Sequence, residues 1–152
     1  MNIIGINAFH ADSSACLIID GKLISAVEEE RFNRIKHWAG FPVASIKYCL
    51  KEANFDLNDI DHICINIDPK ANYFKKILFL LKYRPSLKLV FNRLKKKKKY
   101  DNIRELINKE FDGSNFKGQI NNVEHHYAHL SSAFHVSPFE ESCILSVDGF
   151  GD

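Results

Sequence analysis

The dipeptide Asp20-Gly21 places the tightest restriction on how this chain can fold. It separates two short apolar runs, residues 15–20 and 22–27. Both central positions of a tight primed turn favour φ > 0, which Asp and Gly tolerate, so the pair predicts a β-hairpin. A third strand-like run covers residues 2–8. The N-terminal part is therefore predicted to be a meander of three strands.

The remainder of the chain alternates between helix-like and strand-like segments. The patterns predict a helix at residues 42–54 with Pro42 in its first turn, a strand at 62–67, helical structure over 71–111, a strand at 119–123, a helix at 125–136 and a strand at 143–147. The predicted order is βββαβα(α)βαβ.

That order is typical of an α/β half-unit. Three antiparallel strands that lead into a strand-helix alternation occur in the ribonuclease H-like superfold of actin and the sugar kinases, where two such halves close around a phosphorylated ligand. We expect residues 1–140 to form the first lobe, and residues 141–152 to supply the first strand and phosphate loop of a second lobe. On this interpretation the chain is truncated at the start of the second half and is part of a larger enzyme.

Composition sets broad limits on the class of protein. With 152 residues, 45% of them hydrophobic, the chain can form one domain with a core. A net charge of +2 is too small to indicate DNA or RNA binding by itself. The four cysteines lie among apolar neighbours without CxxC spacing, which predicts buried free thiols and a cytoplasmic location. No signal peptide and no apolar stretch of about 18 residues is present, so we expect a soluble protein without a membrane span.

Residues 73–99 combine apolar side chains with many Lys and Arg, and they end in five consecutive lysines. One interpretation is a basic amphipathic surface for an acidic partner, a membrane face or RNA. The other is two solvated helices whose apolar faces pack on the domain. No aromatic residues interleave the lysine run, which favours the second interpretation over RNA binding.

A histidine pair is the strongest candidate for a chemical site. His125 and His129 are one helical turn apart on one face, where two imidazoles can bind one metal ion. A helix N-terminus disfavours imidazolium and so favours the neutral ring that metals bind. The alternative is two surface or packed histidines. His126 lies about 100° around the helix, which makes it a poor third ligand, so it could face a nucleotide or substrate instead.

Four motifs in one order resemble the N-terminal domain of the O-carbamoyltransferases of antibiotic and nodulation-factor biosynthesis, which is related to the tRNA threonylcarbamoyladenosine-forming proteins. The motifs are GINAFHADSSA at residues 5–15, EEERFNRIKHWAGFP at 28–42, HHYAH at 125–129 and DGFGD at 148–152.

The resemblance implies a two-stage reaction. ATP and carbamoyl phosphate would give carbamoyl-adenylate in a C-terminal domain, and the N-terminal domain would pass the carbamoyl group to a hydroxyl of a sugar or natural product. It also implies a divalent metal, with iron favoured, that His125 and His129 bind together with an aspartate beyond residue 152. The partners would be the hydroxyl substrate, carbamoyl phosphate and the remaining domains of the enzyme.

Two loops complete the candidate site. His10 or Asp12, after the first strand, could take the proton from the acceptor hydroxyl, although a turn that caps its own backbone explains the same residues. By resemblance, the cofactor-binding residues near the nucleotide phosphate would be Asp148, Gly149, Gly151 and Asp152, together with His126; a plain turn is the alternative for the C-terminal loop.

Two other classes of function stay open at this stage. One is a noncatalytic fragment that binds a nucleotide or a partner through the basic helices. The other is a sugar-kinase-like enzyme of the same superfold, which shares the element order but does not require the pair His125 and His129. Metal content separates the kinase from the transferase.

Overall fold

Five strands form one mixed sheet in the residues that the computed structural model describes, namely 1–68, 71–83, 102–111 and 116–147. The strands are β1 (Asn2–Asn7), β2 (Ser14–Ile19), β3 (Lys22–Glu28), β4 (His62–Ile65) and β5 (Gln119–Asn122). Their spatial order is β3-β2-β1-β4-β5. The pairs β1–β2 and β2–β3 are antiparallel, whereas β1–β4 and β4–β5 are parallel. An antiparallel meander joined to parallel strands is the predicted ribonuclease H-like arrangement.

The hairpin that the sequence predicts is present. Asp20 has φ 47° and Gly21 has φ 80°, so both central residues of the turn adopt the positive φ that a primed turn requires. The N-terminal ammonium forms an ion pair with the Asp20 carboxylate, and both groups are exposed.

Helices follow the predicted positions with shorter bounds. They are α1 (Glu30–Asn33), α2 (Val43–Ala53), α3 (Tyr73–Tyr83), α4 (Ile103–Glu110) and α5 (His125–Phe134), with a 3₁₀ turn at Leu57–Asp59. The short helix α1 and the 3₁₀ turn were not predicted. Residues 84–101, in the middle of the predicted helical stretch, lie outside the described residues.

The core lies between one face of the sheet and the helices α2 and α4. Alternation along the strands points every second side chain to this face. The buried apolar residues include Ile4, Ile6, Ala15, Leu17, Ile46, Cys49, Leu50, Ile63, Ile65, Ile103, Ile107 and Phe116. Burial raises the pKa of the Cys49 thiol. Cys16 and Cys64 are only partly buried and Cys143 is exposed, which corrects the expectation that all four thiols are buried.

A buried carboxylate fixes the start of α2. Glu29 follows β3 and is 7% exposed. Its carboxylate accepts hydrogen bonds from the backbone N–H of Ala44 at 3.1 Å, and from the backbone N–H and the hydroxyl of Ser45 at 2.8 Å each. Pro42 precedes the helix and offers no side-chain acceptor, so a residue distant in sequence caps the helix.

The segment 143–147, predicted as the first strand of a second lobe, is not in a strand among the described residues, and its pairing within that lobe stays a prediction. These residues form no ladder with any described strand. A strand needs a neighbour to pair its backbone groups, and this segment follows α5 instead of returning to a sheet edge. The side chains of Leu145 and Val147 are 85% and 84% exposed. The loop residues Asp148, Gly149, Gly151 and Asp152 lie outside the described residues.

Among the described helices, we find none with the length and apolar character needed to cross a bilayer.

Candidate functional site

Three segments meet at one edge of the sheet. Because β1, β4 and β5 run parallel, their carboxyl ends lie side by side. The loop that carries His10 and Asp12 follows β1, Asn66 follows β4, and β5 leads through Glu124 into α5. Carboxyl ends of parallel strands are a common place for ligands in α/β proteins. The topology therefore brings together the residues that the sequence singled out.

The start of α5 is capped by its own sequence. Glu124 accepts a hydrogen bond from the backbone N–H of Tyr127 at 2.8 Å, and the backbone N–H of Val123 bonds to the Ile65 carbonyl at 2.8 Å. The cap holds the first turn, and the second contact ties the helix to the end of β4. The first histidine of the candidate pair is consequently placed at the sheet edge.

The two imidazoles of the pair face each other as predicted. The Nε2 atoms of His125 and His129 are 3.1 Å apart, and the ring planes are perpendicular. Imidazole nitrogens bind zinc-like ions at about 2.0–2.1 Å, so two ligands that subtend about 90–110° at one ion lie roughly 2.8–3.4 Å apart. The separation fits a shared ion.

The tautomer of His125 is set by a backbone group. Its Nδ1 is 3.4 Å from the carbonyl oxygen of Asn66. A carbonyl oxygen can only accept a hydrogen bond, so Nδ1 of His125 carries the proton. Its Nε2 then has a free lone pair on the side that faces His129. Metal-bound histidines are commonly oriented through such a contact. The donor chemistry of His125 and His129 therefore fits a divalent metal, although the described residues contain no group of three or more metal-ligating side chains.

His10 lies beside this pair. Its ring is stacked against His125 with centroids 6.0 Å apart and planes inclined by 23°. The loop is shaped by Ser13, whose hydroxyl donates to the His10 carbonyl at 3.0 Å and to the Gly40 carbonyl at 2.9 Å. The loop therefore forms the self-capping turn that was the alternative interpretation. The His10 side chain nevertheless lies against His125 of the histidine pair.

Asp12 has a different partner. Its Oδ1 is 2.9 Å from Nδ1 of His37, and both residues are exposed with positive φ, 61° and 54°. The hydrogen bond and charge of Asp12 raise the pKa of His37. His37 lies within the motif at residues 28–42 but is not among the site residues predicted from the sequence. A separation of 25 residues gave no local spacing to indicate the pair.

The loops that carry these two residues are joined by their backbones. The Phe9 N–H bonds to the Gly40 carbonyl and the Ser13 N–H to the Trp38 carbonyl, both at 3.0 Å. The contact between Asp12 and His37 is therefore one of several that hold the loops together.

An open groove of about 670 Å³ runs along the sheet face opposite the core. Gly5, Cys16 and Cys64 lie in register across three neighbouring strands on its floor. Burial raises the pKa of both thiols. Asn66 lines the groove, and its side-chain oxygen is buried without a hydrogen-bond partner while its amide donates to Asn7 at 3.1 Å. The described residues give that oxygen no donor, and it has almost no surface open to the groove.

His126 turns away from the pair, as its helical position predicts. Its Nδ1 is 2.9 Å from the hydroxyl of Ser146, so it binds the segment that follows α5. A role towards nucleotide stays a prediction for His126.

Fold and site together define a ribonuclease H-like lobe with a histidine pair at the carboxyl edge of its sheet. The chain belongs to the family described as carbamoyltransferase N-terminus, which matches residues 2–152. This result confirms the resemblance inferred from the four motifs.

Individual relatives cover the chain almost completely. It is 40% identical over 96% of its length to nodulation protein NolNO of Sinorhizobium fredii and 32% identical over 99% to the uncharacterized protein sll1178 of Synechocystis. The match covers 20% and 26% of those proteins, so the chain spans roughly a fifth to a quarter of their length. Among solved structures, YeaZ from Pseudomonas aeruginosa matches 47% of this chain and 32% of its own, with 14% identity and a TM-score of 0.34.

Proposed function

We propose that this chain is the N-terminal part of a carbamoyltransferase that moves a carbamoyl group to a hydroxyl of a sugar or natural product. Family membership supports the class of reaction. The observation that carries the site assignment is the 3.1 Å separation of the Nε2 atoms of His125 and His129, beside the loop of His10 and Asp12.

The pair His125 and His129 would hold a divalent metal, with iron favoured by the resemblance and a third ligand supplied from beyond the described residues. A bound cation would stabilise negative charge on the carbamoyl oxygen. The contact between His125 and the Asn66 carbonyl keeps that ring in the tautomer that can bind a cation. The stacking of the His10 ring on His125 supports a role in which His10 contacts the acceptor or the carbamoyl group.

In this proposal, a residue of the neighbouring loops, which carry His10, Asp12 and His37, removes the proton from the acceptor hydroxyl. His10 and Asp12 are the residues selected from sequence, and the structure adds His37. Asp12 engages Nδ1 of His37 and leaves Nε2 as the basic atom of that imidazole, the arrangement in which a carboxylate orients a general base. We assign proton abstraction to His37, with Asp12 as its positioning residue.

The carbamoyl donor in this proposal is carbamoyl-adenylate, made elsewhere in the complete protein from ATP and carbamoyl phosphate. The acceptor oxygen forms a bond to the carbamoyl carbon, the bond from that carbon to the adenylate phosphate oxygen breaks, AMP leaves with the electron pair, and the hydroxyl proton passes to His37. His126 and the loop residues Asp148, Gly149, Gly151 and Asp152 are proposed to lie near the nucleotide phosphate.

The test uses the complete protein and separates the two half-reactions. Release of pyrophosphate from ATP should depend on carbamoyl phosphate and should need no acceptor. Radiolabelled carbamoyl should then appear on one member of a panel of sugars and glycosides with free hydroxyls. Absence of the first half-reaction contradicts the proposal. Phosphorylation of an acceptor by ATP without carbamoyl phosphate would indicate the sugar-kinase alternative.

A further inference from the structure

Helix α3 carries an apolar stripe on its exposed side. Phe74, Ile77, Leu78 and Leu81 follow the spacing i, i+3, i+4, i+7, which places them on one face. Their exposed fractions are 82%, 36%, 65% and 70%. We call these four residues the α3 stripe.

Such a stripe normally faces the core of a protein. The apolar face of a surface helix is buried because removal from water stabilises it by about 25 cal/mol per Å². In α2 the expected arrangement holds, since Ile46, Cys49 and Leu50 are buried. The α3 stripe has the same periodicity but is turned to solvent, and clustered exposed apolar residues commonly mark a binding surface.

The charged side chains of α3 are all of one sign. Lys75 and Lys82 project beside it and are exposed, and α3 contains no acidic residue. The sequence has eleven Lys and Arg and no Asp or Glu between Tyr73 and Lys99, out of 21 basic residues in the whole chain. More than half of the positive charge is therefore concentrated in and after this helix, which suits an anionic partner.

The side chains of the stripe favour a lipid surface over RNA. Single-stranded RNA is held by aromatic platforms on which bases stack, whereas three of the four stripe residues, Ile77, Leu78 and Leu81, are aliphatic. Aliphatic and aromatic side chains beside lysines are what an interfacial amphipathic helix inserts at the boundary between headgroups and acyl chains. The eleven described residues of α3, at about 1.5 Å each, extend roughly 16 Å, half of the ~30 Å hydrocarbon core, so this described helix can lie on a bilayer and is too short to cross it.

We propose that α3 is a docking helix for the surface of an anionic phospholipid bilayer. The α3 stripe enters the headgroup boundary, and Lys75 and Lys82 contact lipid phosphates. Binding would place the protein at a membrane without altering the site at the carboxyl edge of the sheet.

The experiment is vesicle flotation of the complete protein. Vesicles of phosphatidylcholine alone are compared with vesicles that contain phosphatidylglycerol, at low and high salt. We expect capture by the anionic vesicles at low salt, and a marked decrease at high salt because lysine–phosphate attraction is screened. The double variant Leu78→Ser/Leu81→Ser and the double variant Lys75→Glu/Lys82→Glu should each lower the partition coefficient by about tenfold or more.

Two matched controls test whether vesicle binding depends on the α3 stripe and its lysines or on exposed charge and hydrophobicity in general. Lys51→Glu/Lys109→Glu reverses two exposed lysines on α2 and α4, and Leu23→Ser removes a leucine that is 60% exposed on β3. Both controls should bind vesicles like the wild type, and far-ultraviolet circular dichroism should be unchanged in all variants. Equal capture of neutral and anionic vesicles, equal loss in the controls, or capture by single-stranded RNA with none by vesicles would each overturn the proposal.

Discussion

The imidazoles of His125 and His129 meet edge to face, with ring centroids 4.5 Å apart and Nε2 atoms 3.1 Å apart. One turn of α5 sets their spacing, and the Asn66 carbonyl sets the proton position on the first ring. A pair in this geometry either shares a proton or shares a cation. The two possibilities differ in what a purified protein should contain.

In the complete protein, His125→Ala or His129→Ala should each lower metal affinity by about a hundredfold or more, because removal of a ligand costs at least as much as removal of its supporting group. The matched control is His126→Ala, whose ring bonds to Ser146 and should leave metal content intact. Elemental analysis of the three variants is the measurement. Formation of carbamoyl-adenylate should survive in all three, and equal metal occupancy would show that the pair is not a ligand set.

The contact between Asp12 and His37 predicts a measurable titration. The pKa of His37 is raised, first by the hydrogen bond from its ring to Asp12. Since the folded-state pKa exceeds the ordinary value, the contact stabilises the fold at pH below that ordinary value and is lost as pH rises through the raised pKa. In Asp12→Asn, the NMR titration of His37 should return towards the ordinary histidine value.

The same variant tests the proposed role of His37. Transfer by the complete protein should fall by roughly 10²–10⁴-fold in His37→Ala, and the pH profile of transfer in Asp12→Asn should shift to lower pH with the His37 titration. Unchanged pH dependence in Asp12→Asn would leave the pair a loop contact without a part in proton transfer.

Glu29→Gln should destabilise the fold by about 2 kcal/mol, because a charged acceptor for the α2 N-terminus is lost and a buried amide takes its place. Denaturant unfolding measures the change. Glu52→Gln, at an exposed position of the same helix, is the control and should lie within about 0.5 kcal/mol of the wild type. Equal effects of the two substitutions would mean that the carboxylate of Glu29 does not cap α2.

On the groove floor, Gly5→Ala should destabilise the protein by about 1–3 kcal/mol through overpacking. A Cβ at this position would lie 2.9 Å from Sγ of Cys16. The double variant Gly5→Ala/Cys16→Ala lacks the crowding Sγ atom. In a double-mutant cycle, Gly5→Ala should therefore cost much less stability when Cys16 is already alanine. An additive result would place the cost of Gly5→Ala elsewhere.

Sequence reasoning succeeded where the information is local. Asp20-Gly21 specifies its hairpin through backbone preference, and the spacing of His125 and His129 specifies a common face through helical geometry. It failed where a contact with a residue distant in sequence determines the local structure. The carboxylate of Glu29 reaches α2 and Asp12 reaches His37 only because the loops at one sheet edge are folded together.

The segment 143–147 has the same dependence on partners that are distant in sequence. Its apolar pattern is that of a strand, but a strand exists only through its neighbours, and no described strand lies beside it. Similarly, the periodicity of α3 could not reveal that its apolar side is exposed.

The parallel ladders between β1, β4 and β5 give the site a further property. A short peptide that contains only HHYAH could present two imidazoles to a cation, but the Asn66 carbonyl and the His10 ring arrive from segments about 60 and 115 residues earlier in the chain. These supports exist only after the long-range pairing of the sheet is complete. The affinity of the pair for a cation would therefore depend on the assembled sheet. During unfolding, the bound cation should be released when the parallel strands separate, rather than when the helix that carries its ligands unfolds.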